Sequence, residues 1–211
     1  MYLHSGLKRT RPTRLVRPLA GLCLGIALGI CSARADAPAT GQPAATDRFR
    51  VSTFTYQVPA VRLVRDDGKG VLLSDELDDG RAVFLNFIFT SCTSVCPLSS
   101  KNFSDFEREL GAESARVHLI SISIDPEQDT PARLRDYARK FHAGPEWQHY
   151  TGTQAASVAA QEAFGTFRGA KMDHTPVTLV RVAPGKPWVR IDGFMTAAEL
   201  LQLYRSLLAH G

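Results

Sequence analysis

The chain has 211 residues, of which 25 are basic and 21 acidic. Residues 1–35 contain six of the 25 basic residues and no acidic residue, which leaves 19 basic and 21 acidic residues in the rest of the chain. That remainder has a net charge near −2, which gives no support for nucleic-acid binding. Its 176 residues are enough for one domain with a sizeable core.

Residues 1–35 have the order of regions that is typical of a secretory signal peptide. Five basic residues lie at positions 8–17, an apolar run follows at 19–30, and Ala33 and Ala35 have the spacing that signal peptidase prefers. The apolar run is shorter than the roughly 18–20 residues of a membrane-spanning helix. We predict a cleaved signal and a periplasmic or exported protein. The alternative is a retained N-terminal anchor, which would be its only means of membrane association.

The rest of the chain is predicted to be a linker followed by one domain. Residues 36–48 are rich in Ala, Pro and Thr, which is typical of a flexible tether. The domain is predicted to span residues 49–211. Because two of the four cysteines lie in the N-terminal segment, the domain keeps only Cys92 and Cys96, in a compartment that is expected to be oxidising.

The predicted elements alternate between strands and helices. The turn signal RDDGKG between short apolar runs predicts a hairpin within residues 50–73, and the apolar run at 82–89 predicts a strand buried on both faces. The later elements are a helix from about Pro97, a strand at 117–124, a helix from Pro131 with Thr130 as N-cap, a strand within 141–150, a helix at 154–164, strands at 177–182 and 188–191, and a last helix opened by Thr196 and Glu199. This order predicts a thioredoxin-like mixed α/β sheet flanked by helices, with an N-terminal β-hairpin extension.

The segment FTSCTSVCP, residues 89–97, places Cys92 and Cys96 where the first core strand meets its helix. A helix N-terminus stabilises thiolates, so lowered pKa values are expected for cysteines there. Positions i and i+4 share a helix face, so two sulfurs can meet at one point and can also form a disulfide. A purely structural disulfide across so short a loop would add little stability. A redox pair and a pair of metal ligands both remain open.

Two sulfurs rarely complete a metal site, so a third ligand is expected from elsewhere. The domain has five histidines: His118, His142, His149, His174 and His210. His174 differs by its context, KMDHTPV, directly before a predicted strand. In a thioredoxin-like fold the loop before that strand lies against the cysteine helix, and an X-Pro bond such as Thr175–Pro176 is commonly cis there. His174 is therefore predicted to face the two sulfurs.

Three segments, FTSCTSVCP, SISIDPEQDTP and MDHTPV, together resemble the Sco/SenC family of copper chaperones, which have a thioredoxin-like fold. The resemblance extends from Phe49 to the C-terminus. It implies that Cys92, Cys96 and His174 bind copper. It also implies a partner, cytochrome c oxidase subunit II, whose copper-A site such proteins load or whose cysteines they reduce. Another copper chaperone or a thiol reductant is a further implied partner.

The residue types agree with this implication. Two thiolates and one imidazole form a soft site of low coordination number, which suits Cu(I) and can accommodate Cu(II). A structural zinc site would normally have a fourth ligand. Copper binding requires reduced sulfurs, so a disulfide between Cys92 and Cys96 would switch the site off.

The sequence also departs from the family pattern. Thr93, Ser94 and Val95 separate the cysteines, where many relatives carry Pro-Asp, and many have an aliphatic residue in place of Pro176. Both departures leave the ligands unchanged and favour thiol chemistry. Three hypotheses therefore stand: an exported metallochaperone, a copper-independent thiol–disulfide oxidoreductase of the cell envelope that uses both cysteines as a redox pair, and a thiol peroxidase or redox sensor.

Two acidic residues near these motifs are candidates for supporting roles. Asp173 could orient His174 through a hydrogen bond, but an Asp before a strand is also a common turn residue. Asp125 is expected near the cysteines, at the carboxyl end of a strand, although Asp-Pro is also an ordinary strand ending.

Overall fold

The computed structural model describes residues 48–210. The predicted signal peptide, and all of the predicted linker except Arg48, lie outside these residues. Within residues 48–210 no helix is both long enough and apolar enough to cross a membrane.

Strands and helices alternate through the core of this region. The strands are β1 (Phe49–Phe54), β2 (Arg62–Arg65), β3 (Gly70–Leu72), β4 (Ala82–Ile88), β5 (Val117–Ser123), β6 (Trp147–Gly152), β7 (Val177–Arg181) and β8 (Trp188–Gly193). The α-helices are α1 (Leu73–Leu77), α2 (Val95–Leu110), α3 (Pro131–Lys140), α4 (Gln154–Ala163) and α5 (Ala197–His210). Short 3₁₀ helices occupy Gly111–Arg116 and Lys171–Asp173.

The strands of residues 48–210 form one mixed sheet in the order β1-β8-β7-β4-β5-β6-β2-β3. The pairs β4–β5 and β5–β6 are parallel, and the other pairs are antiparallel. Every residue of β4 and β5 is buried, as expected for strands with helices on both faces. The mixed sheet and the hairpin formed by β2 and β3 confirm the predicted architecture.

Aromatic side chains of β4 show how the two faces are covered. Phe84 packs against Phe106 of α2, with ring centroids 4.5 Å apart, and lies 5.9 Å from Tyr204 of α5. Phe87 points to the opposite face, where its ring lies 6.3 Å from that of Phe164, directly after α4. The alternation of side chains along a strand therefore places neighbouring residues in two separate cores.

Two of the predicted helix starts, those of α3 and α5, are confirmed by their capping bonds. The Thr130 hydroxyl accepts a hydrogen bond from the backbone N–H of Arg133 at 3.3 Å, with proline as the first helical residue. At the start of α5, Thr196 N–H donates to the Glu199 carboxylate at 2.7 Å, and Glu199 N–H donates back to the Thr196 hydroxyl at 3.3 Å. This reciprocal pair is the capping box that the sequence predicted.

Two details differ from the prediction. First, β1 is an additional strand that pairs with β8, and it lies at the edge of the sheet opposite to the hairpin. Gly193 allows this pairing because it adopts φ = 104°, and a Cβ there would lie 2.3 Å from the carbonyl oxygen of Arg48. Second, residues 48–210 contain no cis peptide bond, so the expected cis Thr175–Pro176 bond is wrong.

A buried histidine on β6 has consequences for stability. His149 is 0% exposed, and neither of its ring nitrogens has a hydrogen-bond partner within residues 48–210. It packs against Trp147, with ring centroids 4.8 Å apart, and its Nδ1 lies 3.8 Å from the Asp66 carboxylate. Burial lowers the pKa of His149 to about 3, so the folded protein holds this ring neutral.

Replacing His149 by phenylalanine is expected to flatten the dependence of stability on pH. The unfolded chain protonates this imidazole below pH ~6.5, whereas the folded chain does so only near pH 3. The free energy of unfolding of the parent should therefore fall relative to that of His149→Phe by about 1.4 kcal/mol per pH unit between pH ~6 and ~4. Urea unfolding across this range measures the difference. The exposed His210 supplies a control, His210→Phe, and equal slopes for the parent and His149→Phe would contradict the expectation.

Candidate metal and redox site

The two cysteines follow the carboxyl end of β4. The chain leaves the strand after Ile88, turns back so that Cys92 N–H donates to the Phe89 carbonyl at 3.1 Å, and enters α2 at Val95. Cys96 is the second residue of this helix. The carboxyl ends of parallel strands are the usual position for sites in α/β sheets, so the fold places the thiols at an edge where chemistry is expected.

A buried carboxylate holds the start of this cysteine loop in place. Asp129 is 0% exposed and accepts hydrogen bonds from the Thr90 N–H at 3.1 Å, from the Thr90 hydroxyl and from the Ser123 hydroxyl at 2.6 Å. It therefore ties the beginning of the loop to the end of β5. This role of Asp129 was not predicted from the sequence, although its position directly before the N-cap residue Thr130 was a usable signal.

Cys92 and Cys96 lie together, as the sequence predicted. Both are free thiols, and the N–H of Cys96 donates to the Cys92 sulfur at 3.4 Å. The Cys92 sulfur also lies 3.8 Å from the Ser94 hydroxyl. Cys92 is 8% exposed and Cys96 is 1% exposed, so Cys92 is the sulfur closer to solvent.

The two thiols have opposite pKa shifts. Burial works against ionisation of Cys92, but hydrogen bonds from Cys96 and Ser94 outweigh it and lower its pKa. Burial raises the pKa of Cys96, and the neighbouring Cys92 and Asp129 add to the effect. The expectation that both cysteines have lowered pKa values is therefore wrong for Cys96, because burial outweighs its position at the helix start.

His174 lies just before β7, and its ring reaches β4. Its Nε2 is 2.9 Å from the backbone carbonyl oxygen of Phe87. Because a carbonyl only accepts, Nε2 carries the hydrogen and the lone pair is on Nδ1. Burial lowers the pKa of His174, which keeps the ring neutral. A neutral imidazole that donates its second nitrogen to a carbonyl is the usual state of a metal-binding histidine.

The loop that carries His174 is attached to the end of β5. Lys171 makes an ion pair of 2.6 Å with Asp125 and lies over the ring of Phe89, 5.8 Å from its centroid. No local pattern in the sequence predicts this long-range pair. Asp173 is exposed, and within residues 48–210 its carboxylate has no hydrogen bond to His174, so its proposed orienting role has no support.

The donor set fits a soft metal, although its members do not converge. Two sulfurs and a neutral imidazole are ligands that Cu(I) favours. In the described part of the chain, however, no group of three His, Cys, Asp or Glu side chains is arranged to hold a metal ion. The structure thus brings Cys92 and Cys96 together and places His174 against the strand that leads to them. The three-ligand site of Cys92, Cys96 and His174 remains a prediction.

A mixed sheet with a cysteine pair at the start of the helix after its central strand defines a dithiol protein of thioredoxin-like plan. The model of the SCO1/SenC family matches residues 58–208, and the chain belongs to that family. This confirms the resemblance inferred from the three segments.

Comparisons with individual proteins agree with the family and the fold. The chain is 32% identical over 111 residues to the SCO1 protein homolog of Bacillus subtilis (strain 168), which covers 52% of this chain and 53% of that protein. The match thus spans about half the length of this curated relative. The structure of Bradyrhizobium japonicum ScoI with copper bound is 26% identical, with a TM-score of 0.56, over 72% of this chain and 98% of that one.

A third comparison concerns redox chemistry. The structure of BsSco, described as a member of the Sco family of cytochrome c oxidase assembly proteins and as having a disulfide switch, is 25% identical to this chain. Its TM-score is 0.61, and the match covers 74% of this chain and 95% of that one. These structures confirm the thioredoxin-like fold.

The opposite pKa shifts predict unequal reactivity of the two thiols. In the reduced full chain near neutral pH, iodoacetamide should alkylate Cys92 at least about tenfold faster than Cys96, because the thiolate is the reactive species. Peptide mapping by mass spectrometry after timed quenching measures both rates in one sample. The urea-unfolded chain is the control, in which the rates should be similar. Equal rates in the folded chain would contradict the asymmetry.

Proposed function

We propose that this protein is an exported copper-binding metallochaperone. It delivers copper to the copper-A site of cytochrome c oxidase subunit II, or reduces the cysteines of that site. The observation that carries the proposal is the pair of adjacent free thiols, Cys92 and Cys96, at the strand end that also anchors His174. A family relative with copper bound supports the choice of metal.

The cargo enters through the more accessible sulfur. Cys92 is the sulfur nearer to solvent and the more readily ionised, so it makes the first contact with Cu(I). Binding by Cys96 then displaces the proton that burial holds there, because only a thiolate is a good ligand. Nδ1 of His174 is the proposed third donor, and its loop must approach the sulfurs for all three to meet.

The location of the protein is part of the proposal. The basic and apolar segments of residues 1–35 support export, and an oxidising compartment would favour the Cys92–Cys96 disulfide. A protein that binds copper there requires a thiol reductant to keep its sulfurs free, and another copper chaperone is the proposed source of the metal.

The asymmetry of the thiols favours a second candidate, a thiol–disulfide oxidoreductase. The Cys92 thiolate would attack a partner disulfide to form a mixed disulfide and release one partner thiolate. Cys96 would then lose its proton and attack the Cys92 sulfur, which releases the second partner thiol and leaves the Cys92–Cys96 disulfide. The partner gains two electrons, and an external thiol reductant restores the pair. The disulfide switch described for BsSco is consistent with this chemistry.

Replacing His174 by alanine tests the copper site. We expect His174→Ala to weaken Cu(I) binding by about 100-fold, since it removes one of three donors, while reduction of a model protein disulfide is largely retained. Competition with a chromophoric Cu(I) chelator measures the affinity.

His210→Ala is the matched control, because His210 is exposed at the end of α5. It should bind Cu(I) like the parent. A His174→Ala protein that binds Cu(I) as tightly as the parent would show that the three-ligand proposal is wrong.

A copper chelator separates the two candidates, and Cys92→Ser tests the attacking thiol. As an oxidoreductase, the parent should reduce a protein disulfide equally well with and without a copper chelator, and Cys92→Ser should lose this activity because the attacking thiolate is gone. Stopped-flow fluorescence of the substrate follows the reaction. If chelation abolishes turnover by the parent, the copper-independent function is excluded.

A further inference from the structure

A groove with positively charged walls runs along the outer side of α2. Two adjoining cavities form it, and they share Ser104, Arg108 and His142. One cavity begins at Pro97, the residue after Cys96. The other cavity ends at Pro145, in the turn before β6. The groove therefore leads from the cysteine end of α2 to the turn between α3 and β6.

Three permanent cations line the groove: Lys101 and Arg108 on α2, and Lys140 at the end of α3. Asp105 is paired with Lys101 at 2.6 Å and with Arg108 at 2.7 Å. Such surface pairs are weak, so both cations remain available to other carboxylates. Within residues 48–210 Lys140 has no carboxylate at salt-bridge distance, and its ammonium group lies 5.4 Å from the centroid of the Phe141 ring.

The other carboxylate of the groove faces inward. Glu107 is buried and accepts hydrogen bonds from the backbone N–H of Gly144 at 2.7 Å and of Glu146 at 3.2 Å. It is therefore occupied by the turn and contributes little to the outer wall. The groove is lined by three cations and by two carboxylates, Asp105 and Glu107, and so has an excess of one positive charge, whereas residues 48–210 as a whole contain 19 basic and 19 acidic residues. The excess is local.

The wall formed by the turn is held in one shape. His142 adopts φ = 55°, which is uncommon for a residue other than glycine and occurs at functional sites. Ala143 N–H donates to the Ala138 carbonyl at 2.9 Å, and a Cβ at Gly144 would lie 2.6 Å from a Glu107 carboxylate oxygen. Because the wall is already ordered, a ligand that binds to it loses little conformational entropy of the protein.

We propose that this groove docks an acidic segment of the protein that exchanges copper or electrons with Cys92 and Cys96. The inference rests on the proposed function and names the chemistry of its partner. Carboxylates along an extended segment would pair with the three cations, and an apolar residue of the segment would contact Phe141. A partner held along α2 would have its own thiols or metal at the cysteine end of the groove, so docking would align the two reactive ends.

The test uses the full chain and a charge-reversed variant, Lys101→Glu with Lys140→Glu. The probe is a fluorescein-labelled octaglutamate peptide, and a labelled glycine–serine peptide of equal length serves as the neutral comparison. The parent should bind octaglutamate more weakly as salt is raised, and the double variant should bind it about tenfold or more weakly than the parent. Fluorescence anisotropy measures both.

The matched control has the same change of net charge at exposed positions elsewhere: Arg50→Glu with Lys69→Glu, in β1 and in the β2–β3 turn. It should bind octaglutamate within about twofold of the parent. An equal loss of octaglutamate affinity in both double variants, or no binding of octaglutamate by the parent, would overturn the proposal that the groove is a docking site. The milder pair Lys101→Gln with Lys140→Gln serves if the reversed variant does not fold.

Two further measurements keep the failures separate. Vesicles of phosphatidylglycerol test for an anionic lipid surface, and binding to vesicles without binding to the peptide would overturn the proposal. Cu(I) affinity of the parent tests the proposed function on its own. Copper binding that is equal in the parent and the reversed variant, together with a loss of octaglutamate binding only in the variant, is the expected result.

Discussion

The position of the thiols depends on one buried carboxylate. Asp129 is out of contact with water, yet its oxygens accept three hydrogen bonds from two residues, Thr90 and Ser123. A buried carboxylate without such partners would be costly, and with them it acts as a fixed link between the ends of two parallel strands. The loop to Cys92 starts at this link, so the direction in which the cysteines leave the sheet is set by the core rather than by the loop itself.

That arrangement gives two identical side chains different properties. Cys92 is the cysteine nearer to solvent, and the N–H of Cys96 and the Ser94 hydroxyl stabilise the negative charge of its thiolate. Cys96 is one turn further on and is closed off by the surrounding core. One thiol is thereby prepared for contact with a cargo or partner, and the other is protected until the first has reacted. Both metal transfer and disulfide exchange can use this order of events.

Local patterns in the sequence predicted most of the fold. The apolar runs of β4 and β5 and the capping residues Thr130 and Thr196 are signals contained within a few neighbouring positions, and the structure confirms them. The signal for the pair of thiols, Cys92 and Cys96, was equally local, because the two lie four positions apart. Features that depend on residues far apart in the chain were not predictable in this way: the pairing of β1 with β8, the Asp125–Lys171 ion pair and the burial that raises the pKa of Cys96. A motif can indicate which side chain is functional, but its burial and its contacts depend on the whole folded core.

The edge strand β1 has a further consequence. Its first residue, Phe49, pairs with Gly193 at the end of β8. In the pairing of β8 with β7, Asp192 lies opposite Val177, which is three positions after His174. Strands lie about 4.8 Å apart, so Arg48 stands about three strand spacings, roughly 14 Å, from the end of β4. The polypeptide therefore enters the fold on the same rim as its sulfur atoms. The side of the sheet that carries Cys92 and Cys96 thus also carries Arg48, the first residue that the structure describes.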